Sequence, residues 1–151
     1  MKRVSLLLVA VLGLSLVAIA AEDKKVKLDG AKCVVAASKP AKAENAVEYK
    51  GGNVYFCCGN CPKAFSADTA KFATRANQQL VATGQAVQSN CPLTGGELNS
   101  ETAITVGGAK IAFCCNNCKG KAEKLKGNEQ AEFLFNDAAF EKAGFKVGDK
   151  K

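Results

Sequence analysis

The 151-residue sequence predicts an α+β protein built from two small tandem modules, and three observations lead there. The first is a duplication. Cys57, Cys58 and Cys61 recur 57 residues later as Cys114, Cys115 and Cys118, and Cys33 recurs 58 residues later as Cys91. These two clusters hold all eight cysteines. The second is a hairpin pattern ahead of each cysteine knuckle, with β-branched and aromatic residues on both sides of a Gly-Gly pair. The third is a helix-compatible stretch after each knuckle. Each module therefore reads as a Cys-bearing loop, a β-hairpin ending in Cys-Cys-x-x-Cys, and a helix, with modules at 21–84 and 85–151.

The elements follow in order. Lys2 and Arg3 precede an apolar run from Val4 to Ile19, and Ala18-Ile19-Ala20 gives a small-residue cleavage site, so residues 1–20 read as a secretory signal peptide. The run is short for a membrane-spanning helix of about 20 residues. Export, to periplasm or beyond, is the expected location, with no membrane attachment after cleavage. Charged residues 22–25 form a flexible new terminus, and Val26-Lys27-Leu28 alternates as a short lead-in strand before Cys33. Ala86-Val87-Gln88 plays that part before Cys91. Loops are expected from Ala36 to Asn45 and from Thr94 to Thr102, marked by Pro40, Gly95 and Gly96.

Hairpins are expected around Gly51-Gly52 and Gly107-Gly108. Gly59-Asn60 and Asn116-Asn117 tolerate the tight reversal that turns the last Cys of each knuckle back. Pro62 suits the first position of a helix. Asp68 reads as the N-cap of a second helix from Thr69 to Val81, with Phe72, Ala76 and Leu80 on one face and Thr83-Gly84 ending it. In the second module Lys119 to Lys126 is helical with Gly127 as terminator. Glu129 to Phe135 fits helix or strand. Asn136-Asp137 caps a last helix with Phe140 inward, and Phe145 and Val147 pack beyond it.

The side-chain inventory narrows the chemistry. The chain has no His, and its single Met is Met1. That excludes Ser-His-Asp and Cys-His catalysis, His-ligated zinc proteases and c-type haem attachment. No paired carboxylates stand out, so a conventional enzyme is not expected. The formal charge of +7 falls by two when the leader departs. The remaining lysines are interspersed with acids, without the basic patch and aromatics of a nucleic-acid binder.

Thiols remain. A soft metal ion needs three or four thiolates converging at about 2.3 Å. Cys57 or Cys58 with Cys61 supplies a turn-borne pair, and Cys33 arrives from upstream to close the site. Cys114, Cys115, Cys118 and Cys91 repeat the arrangement. Strand, knuckle and helix N-terminus together describe a treble-clef-like site, and all-thiolate donors suit zinc, with copper(I) next.

The pattern resembles the YHS and TRASH domains, small treble-clef modules associated with heavy-metal trafficking, resistance and sensing. Copy one carries the resemblance through Cys33, Tyr49-Lys50-Gly51, Tyr55-Phe56-Cys57, Cys61, Phe65 and the Asp68–Phe72 segment. Copy two carries it through Cys91-Pro92-Leu93-Thr94-Gly95, Phe113-Cys114 and Cys118. Secreted bacterial members are similar in having the doubled cysteine. The resemblance implies ligand roles for Cys33, Cys57, Cys61, Cys91, Cys114 and Cys118, and one metal ion per repeat. The Tyr-His-Ser triplet that names one branch is absent. Copy one has Val34-Val35 where copy two has Pro92-Leu93 and lacks the following Gly, so weaker binding is expected there. Cys58 and Cys115 are open between ligand, disulfide partner and free thiol. Two other readings of the framework stand beside the metal: a thiol–disulfide oxidoreductase using the C-x-x-C pairs, and a disulfide-stapled scaffold that recognises another surface. A protein partner is left open.

Overall fold

A computed structural model describes residues 26–148; the expected signal peptide and the charged stretch at 22–25 lie outside the described residues. The architecture is mixed α+β, with three two-stranded antiparallel sheets and five helices among the described residues. The first half runs β1 (Lys42–Tyr49), β2 (Gly52–Phe56), α1 (Asn60–Ala67) and α2 (Thr69–Ala82). After the short β3 (Ala86–Val87), the second half runs β4 (Asn99–Val106), β5 (Ala109–Phe113), α3 (Asn116–Glu123) and α4 (Gly127–Phe135). The chain then forms α5 (Asp137–Lys142) and β6 (Lys146–Val147), which pairs with β3.

The duplication survives in the backbone. Each hairpin turns through two residues of positive φ, Lys50 (50°) and Gly51 (82°) in the first and Gly107 (56°) and Gly108 (87°) in the second. A two-residue turn of that kind matches the twist of the strands it joins. The turn pair of the first hairpin is thus Lys50-Gly51 rather than the expected Gly51-Gly52. Gly52 opens β2 and is needed for close approach: a Cβ there would stand 2.7 Å from Val147 Cγ1 and 2.9 Å from Leu80 Cδ2. Register slips between Lys42 and Ala46, and again at the corresponding point between Asn99 and Ile104. The strands therefore begin earlier than expected, taking in residues 42–45 and 99–102 that read as loop.

Several caps match their sequence signals. Asp68 accepts the Lys71 N–H at 3.1 Å to start α2, and Asn136 accepts the Ala139 N–H at 2.9 Å to start α5. Gly84, at φ 69°, closes α2. Other expectations shift. Residues 26–28 are not a strand. Helix α1 begins at Asn60, before Pro62, so Cys61 lies inside its first turn; Pro62 is tolerated because first-turn N–H groups lack helical partners anyway. Gly127 opens α4 at φ 57° rather than ending α3, which stops at Glu123. The ambiguous stretch at 129–135 is helical.

Both halves contribute to one buried cluster. It includes Val54, Phe56 and Phe65 from the first half and Ile111, Phe113, Leu134 and Phe135 from the second. Helix α2 lies between the halves, touching β2 on one side and β5, α4 and α5 on the others. Its Ala76 and Leu80 are fully buried.

Candidate metal centres

Each cluster is assembled from three places in its half. The remote cysteine sits at the base of a small loop. The Cys33 N–H donates to the Lys39 carbonyl at 2.9 Å, and the Cys91 N–H donates to the Gly96 carbonyl at 2.8 Å. Isolated antiparallel bridges, Lys32 with Pro40 and Asn90 with Glu97, pin the two loops in the same way. The second cysteine, Cys57 or Cys114, directly follows the last residue of β2 or β5. The third, Cys61 or Cys118, lies in the opening turn of α1 or α3.

The fold brings six of the eight predicted site residues into two triads. The Sγ atoms of Cys33, Cys57 and Cys61 all lie within 4.8 Å of one another, and so do those of Cys91, Cys114 and Cys118. Cys57 and Cys61 are 3.7 Å apart at sulfur, and Cys114 and Cys118 are 3.6 Å apart. Sulfurs around a tetrahedral ion at about 2.3 Å would stand about 3.8 Å from each other, so the spacing and the all-sulfur donor set fit one soft ion per triad. All eight cysteines are free thiols. Cys58 and Cys115 are exposed and stand outside the triads. The Cys58 sulfur lies 3.5 Å from that of Cys61, and the Cys115 sulfur 3.7 Å from that of Cys114. The backbone accounts for the split. The strand has ended at this point, so strict alternation no longer applies, and the second residue of each Cys-Cys pair keeps its sulfur beside the knuckle but on the exposed side.

The thiols are electrostatically unequal. Burial pushes the Cys33 thiol up, but the N–H groups of Ala36, Cys57 and Val35 outweigh it, and its pKa falls below the ordinary value. The Ala36 N–H reaches the sulfur at 3.3 Å. Cys91 behaves alike. Burial raises it, while the Thr94 hydroxyl and the N–H groups of Cys114, Leu93 and Thr94 bring it down to about 7. Cys61 and Cys118 go the other way although each opens a helix. Burial and their role as donors to the neighbouring sulfurs push Cys61 far up and Cys118 to about 12. In the metal-free cluster the remote cysteine is thus the more readily ionised, because backbone donors favour its thiolate, and the cysteine at the helix start keeps its proton more firmly. The exposed Cys58 is lowered to about 7 by the Asn60 N–H, the Cys61 side chain and the Cys61 N–H, and Cys115 is lowered by the Cys118 N–H and the Cys114 side chain.

Two threonines, one of them outside any motif, support the second knuckle. Thr102 is buried, and its Oγ1 lies 2.6 Å from the Phe113 carbonyl oxygen and 2.9 Å from the Phe113 nitrogen, holding the residue just before Cys114 across the register slip. Thr94 Oγ1 lies 3.3 Å from the Cys114 sulfur. Sequence reasoning missed Thr102; its only signal is a β-branched hydroxyl beside the point where the strand register breaks. No helix among the described residues is long and apolar enough to cross a membrane.

Comparison of the chain with protein-family models, with curated proteins and with solved structures finds no match. The functional reading therefore rests on the geometry of the two clusters.

Proposed function

We propose that this is an exported metal-binding protein that holds one soft metal ion in each repeat, for trafficking, sensing or stabilisation of its own fold. The observation that carries the reading is the repeated triad: three sulfurs within 4.8 Å of one another, in each half, from equivalent points of the fold. In this reading each half is a treble-clef-like unit of the YHS and TRASH type, with loop, hairpin end and helix start supplying one ligand each. Zinc is favoured over copper(I) because the chain has no His and its only Met is Met1. A bound divalent ion would crosslink three elements of each half and so add to the stability of the fold.

The residues divide the work. Cys33 and Cys91 offer sulfurs whose thiolate form is favoured by N–H donors. Cys61 and Cys118 give up a proton on binding. Cys57 and Cys114, half-buried, complete the triad. Cys58 and Cys115 are available as a fourth ligand from the solvent side.

The test is to purify the exported chain without chelator or added reductant and to measure bound metal by elemental analysis and free thiols by alkylation and mass spectrometry. About two ions per chain, with thiols released by a chelator, supports the reading. A metal-free chain without free thiols would sink it.

A second reading has one observation in its favour. Cys58 is exposed, has a pKa of about 7 and lies 3.5 Å from Cys61, which suits thiol–disulfide exchange. Insulin reduction that is lost on Cys58→Ser would promote it.

A further inference from the structure

Two glutamines do the same thing in the two halves, although the duplication does not relate them. Gln79, on α2, accepts the Tyr55 N–H at 2.6 Å through Oε1. Its Nε2 donates to the Tyr55 carbonyl at 2.9 Å and to the Lys32 carbonyl at 2.7 Å. Gln88, just after β3, accepts the Ala112 N–H at 2.9 Å. Its Nε2 donates to the Ala112 carbonyl and to the Asn90 carbonyl, both at 2.9 Å. Tyr55 and Ala112 each stand two residues before the first knuckle cysteine, Cys57 or Cys114. Lys32 and Asn90 each stand directly before the remote cysteine, Cys33 or Cys91. Each amide therefore joins the hairpin end to the loop that must meet it at the triad.

The physical reason is plain. Among the described residues the outer edge of β2 or β5 has no neighbouring strand, so peptide groups there are met by side chains instead. A primary amide presents a donor and an acceptor side by side, as a strand would, and its second N–H is left to reach another carbonyl. The second carbonyl is what distinguishes these residues from ordinary edge covers. Gln85 pairs in the same way with Asn53, but its further donation goes to Thr83 and not to a cysteine loop. In repeat notation Gln79 would fall on Asn136 and Gln88 near Ala31, so the two clips arose at unrelated places and converge on equivalent atoms.

We infer that Gln79 and Gln88 are positioning residues that set the distance between the remote cysteine and the knuckle, and so tune metal affinity site by site: Gln79 for Cys33–Cys57–Cys61, Gln88 for Cys91–Cys114–Cys118. This rests on the reading of the triads as metal sites. Outer partners that orient ligands characteristically change metal affinity by about 10–100-fold.

The experiment uses the full chain in two single-site backgrounds, Cys114→Ser with Cys118→Ser, which leaves the first site, and Cys57→Ser with Cys61→Ser, which leaves the second. Gln79→Met and Gln88→Met keep the volume and remove the amide. Cadmium affinity is measured by competition with a chromophoric chelator, and the thiolate charge-transfer band with cobalt reports ligand geometry. The expected result is selective: Gln88→Met weakens the second site by about 10–100-fold and shifts its cobalt band while the first site is unchanged, and Gln79→Met does the reverse. Equal losses at both sites, or no loss at either, would overturn the inference. If Gln79→Met does not fold, Gln79→Asn, which is too short to reach both carbonyls, takes its place with the same criterion. If neither background takes up cadmium even with both glutamines present, the functional reading fails and the clip is judged on the metal-free chain. There Gln88→Met should speed alkylation of Cys91 and leave Cys33 alone, and unchanged rates would overturn it.

Discussion

At the scale of single residues, the two cysteines of each doubled pair separate by a small geometric cause. Cys57 ends the hairpin facing the remote thiol, and Cys58 is turned to solvent. Cys61→Ser and Cys118→Ser are each expected to remove one bound ion per chain by elemental analysis. Cys58→Ser should leave both ions in place, because the triads are complete without it. Protonation gives a second expectation. Cys118 holds its proton up to about 12 and Cys61 is likewise pushed up, so near neutral pH both must release a proton to bind as thiolates. Raising the pH favours that release. Affinity should therefore climb with pH through the neutral range, about tenfold per unit for each proton released, and fall correspondingly on acidification. Chelator competition at several pH values checks the slope. The exposed thiol gives the third: with its pKa at about 7, Cys58 should be alkylated ahead of Cys61 by iodoacetamide in the metal-free chain, its rate rising through pH 7 and levelling above it. Mass spectrometry of short time points resolves the order.

At the scale of elements, the hairpins and capped helices follow from local signals. Positive-φ turn residues, an Asp or Asn before a helix and a Gly after one act within a few residues, so neighbouring sequence suffices to read them. In the first hairpin the misread positions are those where a distant element intrudes. Lys50 adopts φ 50° in place of a Gly because its ammonium is held elsewhere, at 2.7 Å from Asp137 and against the rings of Tyr49 and Phe140. Gly52 looked like half of a turn and is instead the place where Val147 and Leu80 come close. Gly52→Ala is expected to destabilise the chain by about 1–3 kcal/mol through overpacking, measured from urea midpoints, whereas Gly59→Ala, with open space around its α-carbon, should cost far less.

At the scale of the whole molecule, α2 ties the halves together. Its consecutive residues Asn77, Gln78 and Gln79 reach three different elements. Asn77 donates to the Phe135 carbonyl at the end of α4. Gln78 donates to the Val106 carbonyl at the second hairpin turn. Gln79 clips the first hairpin. With β3 paired to β6 and one buried cluster drawn from both halves, unfolding should be a single transition. Far-ultraviolet dichroism and the tyrosine signal, which reports only the first half through Tyr49 and Tyr55, are expected to share one midpoint, and separate midpoints would show two independent units. Much of this was hidden at the level of the chain. A run of Asn-Gln-Gln on a helix reads as a polar face, and only its contacts with both hairpins and the end of α4 turn it into the joint of the molecule.

The duplicated cysteine framework, the hairpins and the helix caps are written in the sequence, because spacing and turn chemistry operate over a few residues and repeat when the residues repeat. The place of Cys58 and Cys115 outside the triads, the unequal protonation of the triad thiols, and the glutamines that bind loop to knuckle belong to the tertiary structure. They depend on burial and on contacts across the fold, such as the bonds of Gln79 to Tyr55 and Lys32 and of Gln88 to Ala112, all 24 or more residues away, and no local pattern encodes which distant amide will meet a strand edge.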